Sequence, residues 1–272
     1  SSPVLSKGIS GAHKIQGIYV HGISAESLSM TEAEQAELVS AAVWAADGRL
    51  PVMANLMCAA QGRALELLNA FVDCGADYIC VSQPLMLPYE EHALFDYFAA
   101  IIQRSPLPLY LYNMPQAVYT ISPKLVGQLA KEFPDFQGYK DSTQNMIHLQ
   151  SVAGAVERTD FSILAGSDAT FYATLAVGGA GIVSLISLIF PDLITRLYET
   201  YRGGGHRQGL GQQLFIMKVR DALKAAPLIA GYKTMVKHLE LFETDLVRGP
   251  LTGTDEEQAQ ALLRRLEELG VL

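Results

Sequence analysis

The chain has no run of 18 uninterrupted apolar residues, although half of its 272 residues are apolar. A membrane-crossing helix needs about 20 in succession, so this apolar content belongs to a core, and a chain of this length can bury a large one. Basic residues are also short, 20 Lys and Arg against 28 Asp and Glu, for a formal charge of -8. That balance leaves no basic stripe and argues against nucleic acid or an anionic membrane as partner. The three cysteines, Cys58, Cys74 and Cys80, form neither a CxxC pair nor an even disulfide framework. They read as small core residues of a reducing compartment. SSPVLSKGIS lacks the charged start and apolar stretch of a signal peptide, so a cytoplasmic location is expected. The six histidines include no HxxxH, HExxH or Cys/His cluster, and no metal is expected. GxGxxG is missing too: HGISAES follows the first apolar run, LMCAAQG the second, and GGAG at 178–181 precedes a run. No dinucleotide or other cofactor is expected.

Seven β-rich runs are present: QGIYV at 16–20, LPVMANL at 50–56, DYICVS at 77–82, PLYLYN at 108–113, then FQGYK, FSILAG and AGIVSL. Their starts lie about 19 to 34 residues apart, and helical apolar spacing such as Leu65, Leu68, Phe71 and Val72 fills the intervals. Strand, helix, strand at that spacing means parallel pairing through right-handed crossovers, and continuous Val, Ile, Leu and Tyr runs suit strands covered on both faces. Thr31 with Glu34, and Ser122 with Pro123, are helix-start signals. Without the dinucleotide fingerprint, a (β/α) barrel is favoured over an open doubly wound sheet. Eight strands are needed, and the 15 residues ahead of Gln16 are too few for a first βα unit, which takes at least about 25. That unit is expected to be truncated or missing from the chain. The barrel is expected over 1–188, with a helical extension over 189–272 packed on it or on a neighbouring subunit. RGGGHRQG at 202–209 is read as a flexible connection between helices.

Barrel enzymes carry their chemistry at the C-terminal ends of strands. The polar residues there are His21, Ser24 and Glu26; Asn55; Ser82 and Gln83; Tyr112 and Asn113; Lys140 and Asp141; Ser167 and Asp168; Ser184 and Ser187. Lys140 and Tyr112 end consecutive strand candidates 28 residues apart, which brings them to adjacent places on one rim. An apolar-walled lysine loses charge, and its free amine attacks carbonyl carbon to give a Schiff base. A phenol beside it can pass protons. The alternatives are ordinary ones: Lys140 as a snorkelling surface cation and Asp141 as a helix cap.

YNMP at 112–115 with GYKD from 138, together with HGISAES, LAGSD, GAGIVS and VRGPL, resembles the motif set of the class I pyruvate-dependent aldolases and lyases. That family includes dihydrodipicolinate synthase, N-acetylneuraminate lyase and 2-keto-3-deoxygluconate aldolase. The resemblance covers most of the chain and implies a (β/α)8 barrel with a three-helix extension, in a homo-oligomer, dimer or tetramer. It implies Lys140 as the Schiff-base lysine, Tyr112 as the proton-transfer tyrosine and Ser24 as a carboxylate ligand. Gly166, Asp168 and Ser184 would line a hydroxylated substrate tail, with Val183 contributing backbone alone. Capping the helix after each strand is the other role open to Ser24 and Asp168.

Two positions depart from the family pattern. Ile23 stands where the family has a proton-relay hydroxyl, and LMLP at 85–88 replaces the segment whose tyrosine completes the relay from a neighbouring subunit. His21 is a possible substitute base, or else a buried imidazole satisfied by backbone. QAV at 116–118 lacks the arginine with which dihydrodipicolinate synthases hold an amino-aldehyde carboxylate, whereas KDST is closer to the sugar-acid aldolases. The implied activity is reversible cleavage of a 2-keto-3-deoxy sugar acid to pyruvate and an aldehyde. Dihydrodipicolinate synthase is the alternative within the family. A catalytically impaired keto-acid-binding protein is the alternative of another class.

Overall fold

The computed structural model describes residues 15–272. These divide into two compact units, Gln16–Val183 and, with Ile15, Ser184–Leu272. The expected absence of a first βα unit falls ahead of Gln16, outside the described residues except for Ile15.

The first unit alternates strand and helix throughout. β1 (Ile18–Val20) leads to α1 (Glu32–Ala46), β2 (Val52–Leu56) to α2 (Gln61–Asp73), and β3 (Tyr78–Ser82) to α3 (Glu91–Arg104). β4 (Leu109–Asn113), α4 (Pro123–Glu132), β5 (Phe136–Asp141), α5 (Met146–Ala155), β6 (Ser162–Ala165), α6 (Phe171–Ala176) and β7 (Gly181–Ile182) complete it. Every expected strand is present, the last reduced to two residues. All pairs are parallel, in the order β1 to β7 without reversal. A doubly wound sheet reverses its order at a switch point, and a barrel wall does not. A contact across the sheet agrees: β1 and β5 are four positions apart, roughly 19 Å in a flat sheet. Yet Lys140 Nζ on β5 lies 3.9 Å from the Tyr19 ring centroid on β1. The sheet must curl to bring them together.

Local signals set the helix starts. Thr31 accepts from Glu34 N at 3.3 Å while the Glu34 carboxylate accepts from Thr31 N at 2.8 Å, a reciprocal cap on α1. Ser122 accepts from Leu125 N, with Pro123 at the first helical position of α4. α4 then buries Leu125, Val126, Leu129 and Ala130, a stripe at helical spacing.

Strand alternation sorts the core into two layers. Val52, Ala54, Leu56, Ile79, Val81, Leu109, Leu111, Phe136 and Tyr139 pack with the helices. Residues of the opposite parity, Met53, Cys80, Tyr110 and Tyr112, gather inside the curl with Tyr19, Met57 and Met114. Gly138 is demanded by that inner layer, since a Cβ there would sit 2.1 Å from the Tyr110 ring. Arg158 anchors the start of β5 by donating to the carbonyls of Ala130, Phe133 and Phe136 and pairing in two bonds with Asp160.

The second unit is helical: α7 (Pro191–Arg202), α8 (His206–Leu223), α9 (Leu228–His238) and α10 (Glu256–Glu268). The connection expected over 202–209 is shorter than its composition suggested. Only 203–205 separate the helices, and His206 to Gly209 already belong to α8. Asp255 and Gln258 cap α10 reciprocally.

Candidate active site

Lys140 has inward parity on β5, paired with Tyr112 on β4 and Leu164 on β6. Its side chain is 4% exposed, so it is no snorkelling surface cation. Nζ lies between two aromatic faces, 3.7 Å from the Tyr112 centroid and 3.9 Å from that of Tyr19. Burial pushes the amine down to about 7. A substantial part is therefore free base at neutral pH. Burial acts in the other sense on Tyr112, raising its phenol to about 12 against a side-chain hydrogen bond with Ser142. Tyr112 is thus protonated where the amine is half free. Ile23, partly buried, packs against the inner cluster that contains Tyr112.

The outward face of the same strand ends holds the rim rigid. Asp141 is buried and accepts from Asn113 Nδ2 at 2.7 Å, Thr143 N at 2.9 Å and Thr143 Oγ1 at 2.7 Å. Tyr139 Oη is 3.4 Å from that carboxylate and 2.8 Å from His148 Nε2. Gln83 donates to Asn113 Oδ1 at 3.1 Å and accepts from Met114 N at 3.0 Å, joining the end of β3. Asp141 is accordingly a tie between strand ends rather than a helix cap. The cap of α5 is Asn145, which accepts from His148 N.

The remaining predicted residues separate by role. Ser24 and Ile23 lie on a tight 3-10 turn closed by Ala25 N donating to Gly22 O and Glu26 N to Ile23 O. His21 is buried with both nitrogens engaged, Nδ1 with Ser27 Oγ at 3.0 Å and Nε2 donating to Gln35 O at 2.9 Å. It is the satisfied imidazole, and burial lowers its pKa. Gly166 donates to Asp141 O at 2.6 Å and accepts from Ser142 Oγ at 3.0 Å. A Cβ at Gly166 would lie 2.0 Å from that hydroxyl, so glycine lets β6 close against the KDST turn. Asp168 is buried in the first turn after β6, where Ser167 is the capping side chain, accepting from Ala169 N. Val183 donates its amide to Ala165 O and contributes backbone there. Ser184 opens the second unit, and its hydroxyl accepts from Ser187 N at 2.9 Å.

Three residues beside Lys140 or Tyr112 escaped the sequence reading: Tyr19 and Cys80, next to the amine, and Ser142, hydrogen-bonded to the phenol. Cys80 was read as a core residue only, and Tyr19 sits inside the first strand, short of its polar end. Their shared parity with Tyr112 was the available signal. Among the described residues no three His, Cys, Asp or Glu side chains converge as metal ligands, and no helix is long and apolar enough to cross a membrane.

A lysine amine buried at the end of the fifth strand, beside a tyrosine ending the fourth, is the arrangement the motifs implied. The model of the dihydrodipicolinate synthetase family matches residues 10–269. The chain belongs to that family. Among its relatives, an uncharacterised DapA-like lyase of Halobacterium salinarum is 29% identical over 259 residues, covering 95% of this chain and 84% of that protein. The 4-hydroxy-tetrahydrodipicolinate synthase of Methanopyrus kandleri is 27% identical over 261 residues, 95% and 86% of the two chains. YagE of E. coli K12, solved in complex with pyruvate, superposes with a TM-score of 0.93 over 99% of this chain and 91% of its own, at 23% identity. A monomeric dihydrodipicolinate synthase variant gives 0.92 over 99% and 90%, at 21% identity. The fold is therefore the (β/α) barrel with C-terminal helices of this family, and the expected enzyme class, a carbon-carbon lyase of the class I aldolase type, stands with that membership.

Proposed function

We propose that this family member captures pyruvate as an imine on Lys140 and uses it in the reversible cleavage of a 2-keto-3-deoxy sugar acid to pyruvate and an aldehyde. The observation that carries the proposal is the Lys140 amine, buried between two rings and pushed down to about 7. The free amine attacks the keto carbon, water leaves, and the protonated imine draws electrons from the adjacent bond as it breaks. In the cleavage direction the substrate hydroxyl gives up its proton, the carbon-carbon bond opens to the aldehyde, and the electrons rest in an enamine. Protonation and hydrolysis of the enamine then free pyruvate and the amine. Tyr112 carries the proton. With Ile23 in place of the family's relay hydroxyl, the shuttle runs through the phenol, the substrate carboxylate and water.

Ser24, with the amides of its turn, is assigned to the keto-acid carboxylate, and Gly166, Asp168, Val183 and Ser184 to the polyol tail. The absence of a cation in QAV at 116–118 favours a hydroxylated aldehyde over the substrate of the dihydrodipicolinate synthases, which is the alternative within the family. The chain is assigned to a homo-oligomer, dimer or tetramer, and sedimentation tests that. Borohydride reduction with pyruvate, followed by peptide mass mapping, tests Lys140, and turnover with a panel of aldehydes tests the substrate class. Ile23 supports one second reading, a keto-acid-binding protein with impaired turnover. Trapping at Lys140 without turnover of any aldehyde would favour it.

A further inference from the structure

We propose that Tyr19 is a second catalytic wall: its ring face, together with that of Tyr112, cradles Lys140 Nζ and stabilises the cationic iminium that forms there. The proposal rests on the imine reading of Lys140. Both centroids lie within 4 Å of the nitrogen, at 3.9 Å and 3.7 Å, well inside the range of about 6 Å in which a ring face attracts a cation. Tyr19 is held there from below. Its hydroxyl donates to Cys80 Sγ at 3.5 Å, and Cys80 is fully buried.

The arrangement answers a specific chemical demand. The amine must be neutral to attack, and the product of attack is a cation. When amine and ketone join, a nitrogen-carbon bond forms, one proton is taken up, water departs, and a neutral pair has become an iminium. A carboxylate in contact with the amine would favour the cation strongly and lock the lysine as ammonium, raising its pKa by about 1 to 3 units. Two ring faces supply a weaker negative potential that stays in place through the reaction. The amine remains largely free while the developing positive charge is met by groups already oriented toward it. The titratable groups of the inner layer around the nitrogen, among the described residues, are Tyr19 from β1, Cys80 from β3, and Tyr110 and Tyr112 from β4. Burial raises all four, with Cys80 at about 11, so none adds an anion at working pH. Asp141, next in sequence, has the opposite parity and is engaged by Asn113 and Thr143.

Isosteric rings test this. Protein carrying 13C at the lysine ε-carbons is titrated by NMR without ligand, the Lys140 signal being assigned by its loss in Lys140→Arg. Tyr19→Phe is compared with trifluorophenylalanine at the same position, which keeps the shape and drains the ring face. The expected result is a midpoint for Tyr19→Phe within a few tenths of a unit of the native one, and a fall of about half to one unit with the fluorinated ring. Pyruvate capture, corrected for the free-amine fraction, should slow about fivefold with the fluorinated ring. Equal midpoints and equal capture for the two rings would overturn the proposal. A native protein that gains no pyruvate mass at Lys140 would overturn the imine reading instead, and the two failures are told apart because the titration needs no ligand.

Discussion

Replacing Lys140 with methionine should make the protein more stable, by an amount that depends on pH. The side chains are similar in length, so Lys140→Met leaves little cavity while removing a buried amine. A lysine that titrates at 10.5 in the unfolded chain and at about 7 in the folded one disfavours folding wherever the unfolded state binds the extra proton. Between those two values stability rises with pH. The unfavourable contribution is fully present below about pH 7, declines through the alkaline range and vanishes above 10.5. A difference of about 3.5 units corresponds to at most about 5 kcal/mol at about 1.4 kcal/mol per unit. The expectation is a gain of at most about 4 kcal/mol for Lys140→Met at pH 7, shrinking by about 3 kcal/mol by pH 9.5. Urea unfolding of both proteins at pH 6, 7, 8 and 9.5 measures it, and taking the difference cancels the other titrating groups. A methionine variant less stable than the native protein, or a gain unchanged across that range, would refute the assignment of a desolvated free amine.

Other consequences follow from the same geometry. Lys140→Arg keeps the charge but cannot supply a neutral nucleophile, so pyruvate adduct after borohydride should disappear from the mass spectrum. Tyr112→Phe should still trap pyruvate while losing about 100-fold or more in the carbon-bond step, seen as a fall in kcat with trapping retained. Ile23→Thr would supply the hydroxyl that the family pattern carries at that position, and an increase in kcat of at least about tenfold is expected; an unchanged kcat would mean that water already serves that position. Asp141→Ala strands the buried Asn113 and the half-buried Thr143 and should destabilise the fold by about 3 kcal/mol in urea. Burial holds His21 and His148 below the ordinary histidine value, with Asp141 opposing it for His148, so stability should decline as pH falls below about 6.5, where the unfolded chain takes up protons first.

Much of the architecture is local in origin and so was legible in the chain itself. The seven strand runs, the caps at Thr31 and Ser122 and the alternation of strand with helix depend on neighbours a few residues away. The adjacency of Tyr112 and Lys140 was legible too, because successive strands of a barrel pair side by side and both residues stand one short of their strands' ends. Where local cues misled, the reason is also physical. RGGGHRQG has the composition of a loop, yet the helix starts at His206 because HRQG supplies the first turn of a long packed helix whose buried face begins at Gly209. Asp141 looks like a cap beside a helix, but the strand continues through it and Asn145 takes that role.

The chemical character of the site was decided only by the tertiary structure. Tyr19 and Lys140 belong to strands four positions apart in the sheet, and no pattern in either segment specifies which side chain will face it across the curl. That depends on the closure of the sheet and on the register of every pair between them. The Asn113, Asp141, Tyr139 and His148 set likewise joins two strands and a helix. Desolvation is itself a collective property, since a lysine loses its charge only when side chains from several strands exclude water from it together. The sequence by itself determined that a lysine would stand at the rim. Folding determined that it would stand there as an amine between two rings.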